Sequence, residues 1–379
     1  MQSYLAFARA HQRDIIALIR DFAECESPSY EAADISRFLD LFAARVAGIG
    51  KIKTYPAGRF GKNLRCEFAL QGRKKDGQLL ALGHSDTVWS LGTLKQMPFR
   101  EADGRLWGPG VLDMKSGIAF FIFAVRALIE ADRPVRRRVV LQLNCDEEVG
   151  SETSRPLTEE AAGKSNAVLV LEPGTGLTGK IKTARKGVGD YTVMVKGRAS
   201  HAGVDFEAGA SAILELSRQI ERIAKFTQVS RGITVNPGVI AGGTRTNVVA
   251  AEARAEVDIR VLRAKDAPAL DKKFHSLRPI DKRCSIQVEG GLNRPPMERS
   301  AGIRALFKTA KSLAGQIGVA LEESTTGGGS DGNFTAALGV PTLDGLGGVG
   351  EGAHAVNESI LIDRIADRTA LLAGLIEAL

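Results

Sequence analysis

Three consecutive acids, Asp146, Glu147 and Glu148, follow the apolar run that ends at Cys145. Like charges crowded at a strand end repel one another, and an isolated acidic triplet reads as a solvated loop. Four other segments change that reading. His84 stands in GHSDTVW with Asp86 two residues on, and WGPGVLDMKSG sets Asp113 on a Gly-rich loop before a helix. VLEPGTG supplies Glu172 and EGAHAVNES supplies His354. Two imidazoles and three carboxylates, with a glutamate to spare, suit a two-metal site with one bridging carboxylate and one free general base. Divalent ions would neutralise the acids that otherwise repel. A strand-end His with an Asp at i+2 fits a metal ligand oriented by a neighbouring acid. His11 and His275 lie in amphipathic helical patterns and read as surface residues.

The elements that must position these residues follow from periodicity. Apolar residues recur at helical spacing over 14–24 and 31–47, the second run stopping at Gly48. Three continuous apolar runs, LLALGH (79–84), RVVLQLNC (138–145) and AVLVLEP (167–173), read as buried strands, with a helix over about 115–130. Strands alternating with helices predict an α/β domain around a mostly parallel central sheet with flanking helices. Chemistry in such sheets gathers at the carboxyl ends of strands, where His84, Glu147 and Glu172 fall.

From residue 186 the pattern shifts to half-exposed alternation. GDYTVMVKGR, a helix over about 209–226, TVNPGVIAGG, AEARAEVDIRVL, a helix in KDAPALDKKFHSL and CSIQVEGG make a βαββαβ order. That order predicts an inserted α+β, ferredoxin-like domain. The expected division is 1–185 and 295–379 for the catalytic domain and 186–294 for the insert, read as a lid and dimerisation domain. The insert holds 18 Lys+Arg against 12 Asp+Glu, which is +6 of the chain's +7. A basic lid over an acid-rich site favours anionic substrates.

Composition excludes several classes. At 44% apolar and 25% charged, the 379 residues are those of an ordinary globular chain. The basic runs GRKK (72–75) and RRR (136–138) are short and lack stacking aromatics, so nucleic-acid binding is not expected. No window reaches 18 uncharged apolar residues, so no membrane span is expected. The N-terminus shows no secretory leader and the four cysteines are scattered, which together predict reduced thiols and a cytoplasmic location. GLGGVG (345–350) matches a dinucleotide fingerprint, but only 29 residues follow it. It reads instead as a flexible loop delivering His354.

With these motifs in their order and spacing, the whole chain resembles the co-catalytic dizinc metallopeptidases and deacylases. That family includes glutamate carboxypeptidase, succinyl-diaminopimelate desuccinylase, acetylornithine deacetylase and aminoacylase. GHSDTVW, DEEVGS and TGGGSDG (326–332) are most similar to the glutamate carboxypeptidase branch. The resemblance implies that His84, Asp113 and Glu172 bind one zinc, that Asp113, Glu148 and His354 bind the other, and that Asp113 bridges. Cobalt or manganese also suits the mixed N/O donors. It further implies that Glu147 is the general base acting on a water held between the metals, and that Asp86 orients His84. His201 in SHAG would steady the oxyanion in the partner's site of a homodimer, and Asn247 in TRTNVV would also reach across. Arg260 and Arg294 are candidate binders of substrate carboxylates, since guanidinium pairs with carboxylate bidentately, and Lys186 is a further candidate. Backbone N–H groups of Gly328, Gly329 and Ser330 are candidate anion contacts. The expected activity is release of a C-terminal, glutamate-like amino acid from an N-acyl or peptide substrate. The alternatives are an N-acyl-amino-acid deacylase and a non-catalytic metal- or peptide-binding protein.

Overall fold

The computed structural model describes residues 1–72 and 75–379; Arg73 and Lys74 of the basic run 72–75 lie outside the described residues. The chain divides into two compact units. One comprises Met1–Ala184, Arg299–Thr326 and Ser330–Leu379, and the other comprises Arg185–Glu298 with Gly327–Gly329.

Among the described residues, the larger unit is built on a six-stranded sheet. Strands Arg138–Asn144, Gln78–His84, Ser165–Val170 and Thr342–Leu343 run parallel in that spatial order. The antiparallel pair Gly50–Pro56 and Lys62–Phe68 extends the sheet beyond Arg138–Asn144. Parallel strands covered on both faces are apolar on both faces, and Gln78–His84 follows that rule. Leu79 and Ala81 join the main core, whereas Leu80 and Leu82 pack on the other face with Val140, Val168 and Ala161. Helix Ser116–Glu130 has apolar residues all round because other elements cover it too. Ile365–Ala378 packs along it, and residues 116–125 are all buried. Gly117 permits its close seat, since a Cβ there would lie 2.1 Å from the Leu171 carbonyl oxygen. Helix Ala32–Arg45 ends ahead of Gly48, whose φ of 81° suits only a residue without a Cβ penalty.

Residues 345–350 differ from the expected flexible loop. Leu346 through Gly350 are buried, and the Arg368 guanidinium donates to the carbonyls of Gly345, Gly347 and Gly179. Gly347 N–H donates to the Glu172 carbonyl at 2.8 Å, so this glycine run is packed backbone beneath a site residue. A second small sheet joins Gly350–Glu351, Ser359–Leu361, Arg105–Trp107 and Arg100–Ala102. It sets the segment after His354 beside the segment before Asp113.

The smaller unit is a four-stranded antiparallel sheet. Its spatial order is Thr234–Gly242, Glu252–Val261, Gly187–Lys196, Ser285–Arg294. Helices Ala212–Ala224 and Ala267–His275 each connect two strands that have a third between them, which is the ferredoxin-like arrangement. Its core gathers alternate residues such as Tyr191, Val193 and Val195, as period-two patterning requires. Among the described residues, no helix is long and apolar enough to cross a membrane.

Candidate metal centre

Asp113 occupies the middle of the centre. Its Oδ1 lies 3.1 Å from His84 Nε2 and its Oδ2 lies 3.4 Å from His354 Nε2. Glu172 Oε1 is 3.7 Å from His84 Nε2, and Glu148 Oε2 is 3.3 Å from His354 Nε2. Two groups result, His84–Asp113–Glu172 and Asp113–Glu148–His354, each with ligand atoms within 4.8 Å of one another.

Local structure explains each position. His84 and Glu172 stand at or just past the ends of adjacent parallel strands. Glu147–Val149 is a 3₁₀ turn after strand Arg138–Asn144. Successive residues of such a turn project about 120° apart, so neighbouring glutamates serve different surroundings. Glu148 meets His354, while Glu147 lines a small cavity with His84 and Glu172. His354 takes a left-handed φ of 62°, uncommon for a non-glycine residue.

The electrostatics of the cluster fit a pair of divalent cations. Burial opposes charge on Asp113, yet His354 and His84 outweigh it and hold the carboxyl well below its ordinary value. Burial pushes the Glu148 carboxyl up to about 7, and its Oε1 is buried with no hydrogen-bond partner among the described residues. Hydrogen bonding to Asp113 and Glu148 raises the His354 imidazole to about 10. Divalent ions held by these side chains would supply positive charge to the same carboxylates. The mixed imidazole and carboxylate donors suit zinc, cobalt or manganese.

Asp86 has a broader role than orienting His84. The His84 Nδ1 contact of 2.9 Å is to the Asp86 main-chain carbonyl, and the Asp86 carboxylate is 3.5 Å away. That carboxylate accepts the N–H groups of Glu147 and Glu148, at 3.3 and 3.2 Å, and the Ser29 hydroxyl at 2.8 Å. One buried acid therefore fixes both His84 and the glutamate turn.

Glu358 is a site residue that sequence reading missed. Its buried carboxylate accepts the N–H groups of Leu112 and Asp113 on Oε1, and of Gly110 and the Trp89 indole on Oε2, all between 2.8 and 3.0 Å. It fastens the Asp113 turn to the chain just after His354. Its position four residues past a candidate ligand, in HAVNE, was the available signal. Each buried donor left without a partner costs about 1–3 kcal/mol. Glu358→Ala is therefore expected to lower unfolding free energy by roughly 3–5 kcal/mol, read by urea denaturation of the metal-free protein. A loss under about 1 kcal/mol would contradict this anchoring.

The remaining candidates lie elsewhere. His201 and Asn247 are exposed neighbours in the smaller unit, where Ala202 N–H donates to the Asn247 carbonyl at 3.0 Å. Arg260 grips Asp258 through Nε and Nη2 at 2.7–3.0 Å, so a substrate carboxylate would compete with an existing ion pair. Arg294 is buried and Lys186 is half-buried, both in that unit. The carbonyls of Gly328 and Gly329 accept from Arg185 at 3.1 and 2.7 Å. Ser330 belongs to the larger unit, fully buried, with its hydroxyl donated to Asp344 at 2.6 Å. Neither the two glycines nor Ser330 joins the metal-ligand groups.

The chain is similar to known proteins along most of its length. Carboxypeptidase G2 of Pseudomonas sp. (strain RS-16) is 30% identical over 335 residues, covering 86% of this chain and 75% of that protein. A succinyl-diaminopimelate desuccinylase of Cereibacter sphaeroides is 28% identical over 384 residues, covering 94% and 97%. The crystal structure of aminopeptidase PepT from Bacillus cereus superposes with a TM-score of 0.78 at 22% identity, covering 97% and 98% of the two chains. The model of peptidase family M20/M25/M40 matches residues 80–378, a span that begins in the strand bearing His84 and includes every candidate ligand. One solved member of that family, the YXEP protein of Bacillus subtilis, is a dinuclear metal-binding peptidase, and this chain carries two groups of side chains able to hold metal. Matched by that family model over most of its length, the chain belongs to peptidase family M20/M25/M40 and is a hydrolase.

Proposed function

We propose that this hydrolase releases a C-terminal, acidic amino acid from N-acyl or peptide substrates. The observation that carries the proposal is Asp113, whose two oxygens each face a different imidazole while Glu172 and Glu148 complete the two groups. His84, Asp113 and Glu172 would hold one ion, and Asp113, Glu148 and His354 the other. Bound there, divalent ions polarise an amide carbonyl and acidify water. Glu147 takes the proton of the attacking water and carries it to the leaving amine, and Asp86 holds the Glu147 turn for that task. The preference for an acidic product is supported by the basic residues 186–294 and by the carboxypeptidase relative. Arg260, Arg294 and Lys186 are the candidate carboxylate binders. Deacylation of N-acyl amino acids is the second reading, favoured by the desuccinylase relative's coverage of 94% of this chain.

A panel of N-acyl glutamates, dipeptides and acetylated amino acids, with free amino acid as the readout, tests this. Cleavage of N-acyl glutamates above the corresponding basic and neutral compounds is expected. Preference for acetylornithine-like substrates would favour deacylation instead. Failure to hydrolyse any amide would defeat both.

His201 is proposed to steady the developing oxyanion across a homodimer formed through the smaller unit. Loss of one such donor costs about 10²–10³ in turnover. His201→Ala is expected to show that loss with fold and metal content intact. Mixing it with Glu147→Gln should restore measurable activity once differently tagged chains have exchanged. Exchange without recovery would rule out a trans role for His201.

A further inference from the structure

Asp331 is a buried acid that belongs to neither metal-ligand group, yet it grips the segment bearing Glu147 from both ends. Its Oδ1 accepts the Ser151 hydroxyl and its Oδ2 accepts the Asn144 side-chain amide, both at 2.5 Å. Asn144 ends the strand Arg138–Asn144, and Ser151 follows the 3₁₀ turn Glu147–Val149 by way of Gly150. One carboxylate therefore brackets the glutamate turn. Ser151 needs such a hold, since its φ of 59° is a left-handed conformation that non-glycine residues rarely adopt. Asp331 also lines the small cavity that Glu147 shares with His84 and Glu172. The acid is itself fixed by its neighbours. The Ser330 hydroxyl donates to Asp344 at 2.6 Å, and the Ser330 N–H donates to the Asn333 side-chain oxygen at 3.0 Å. Gly332 N–H donates to the Ser330 hydroxyl oxygen at 3.1 Å. All of these residues lie in the larger unit, and Ser330, Asp331 and Asn333 are buried, so the carboxylate is in place before substrate arrives.

We infer that Asp331 is a positioning residue that acts through Glu147, setting where the Glu147 carboxylate stands when it takes a proton from water. The inference rests on the proposed role of Glu147 as general base. Asp86 holds the turn from within, through the N–H groups of Glu147 and Glu148. Asp331 holds the residues that flank it. Anchored in both ways, a short turn has little freedom to swing. A general base must lie within hydrogen-bond reach of the proton it removes, and a misplacement of about 1 Å can cost about 100-fold in rate. The role is geometric rather than electrostatic, because what Asp331 supplies is two acceptor atoms in fixed places. An Asn side chain can rebuild that geometry. Its oxygen accepts from the Asn144 amide, and its nitrogen donates to a Ser151 hydroxyl turned to accept. An Ala side chain offers neither atom.

The test is a set of substitutions in the metal-loaded enzyme, read by kcat, KM and bound metal with N-acetyl-glutamate as substrate. Asp331→Ala is expected to lower kcat by about 10–100-fold, with KM and metal content retained. Asp331→Asn should recover most of that loss. In the Glu147→Gln background, Asp331→Ala should lower kcat by no more than about 2-fold further, since residues that act as a unit are not additive. Ser151→Ala removes one donor and keeps the carboxylate. It should lower kcat less than Asp331→Ala does, lose its effect beside Glu147→Gln, and carry the same cycle if Asp331→Ala does not fold. Full multiplication of the two losses, an Asn variant as impaired as the Ala variant, or metal lost from either would overturn the positioning role. Unchanged kcat in both Asp331→Ala and Ser151→Ala would overturn it too, and all four results leave the proposed hydrolysis standing. A Glu147→Gln enzyme as fast as its parent would instead overturn the base assignment on which the role rests.

Discussion

Replacing Glu147 with Gln is expected to lower turnover by roughly 100-fold or more, the scale of lost general acid–base catalysis, with metal content unchanged. Gln keeps the shape of the side chain and removes the carboxylate that would take the proton. The adjacent substitution, Glu148→Gln, should fail differently. Glu148 Oε2 lies 3.3 Å from His354 Nε2, and Oε1 is buried with no hydrogen-bond partner among the described residues, which suits a metal ligand. Its loss should weaken one metal. The 3₁₀ turn over Glu147–Val149, pinned by the Asp86 carboxylate, keeps the two side chains apart. Metal analysis and steady-state kinetics on both variants separate the roles. An active Glu147→Gln alongside a Glu148→Gln that retains its metal would show them to be assigned the wrong way round.

Asp113→Ala should be the most damaging single change at the centre. One carboxylate faces both imidazoles, so its removal takes a ligand from each group at once. Activity is expected to vanish, with more than one equivalent of metal lost after dialysis. His354→Ala removes a ligand from one group only and should release less. Normal occupancy with full activity in the Asp113 variant would refute a bridging role.

The residues that can be read from sequence are those whose chemistry is local. Leu79 through His84 announces a buried strand with a ligand at its end, because a strand covered on both faces must be apolar throughout. Alternation in residues 189–198 similarly announces a half-buried strand. Contacts between distant segments left weaker traces. Strands Ser359–Leu361 and Arg105–Trp107 are three residues each, too short for any period to register, yet their pairing brings the His354 segment beside the Asp113 segment. Glu358 reads as one more acid until four donors are seen on its carboxylate. Asp86 was legible as a partner of His84, but its grip on the glutamate turn depends on main-chain N–H groups that no side-chain motif encodes. The glycines at 345–350 suggested flexibility. They are instead the residues thin enough to pack backbone against backbone, as Gly347 does against the Leu171 carbonyl. Arg260 invited a substrate role that its pairing with Asp258 makes less direct. Nothing in the residue types announces the cis Asp113–Met114 peptide.

Stepwise metal titration of chelator-stripped protein tests the shared-carboxylate centre most directly. Bound zinc or cobalt would be measured alongside hydrolysis of an N-acyl glutamate. Two equivalents per chain are expected, with activity returning as the pair fills, and Asp113→Ala should bind neither ion tightly. Full activity at a single equivalent, or in protein that binds none, would contradict the two-metal account.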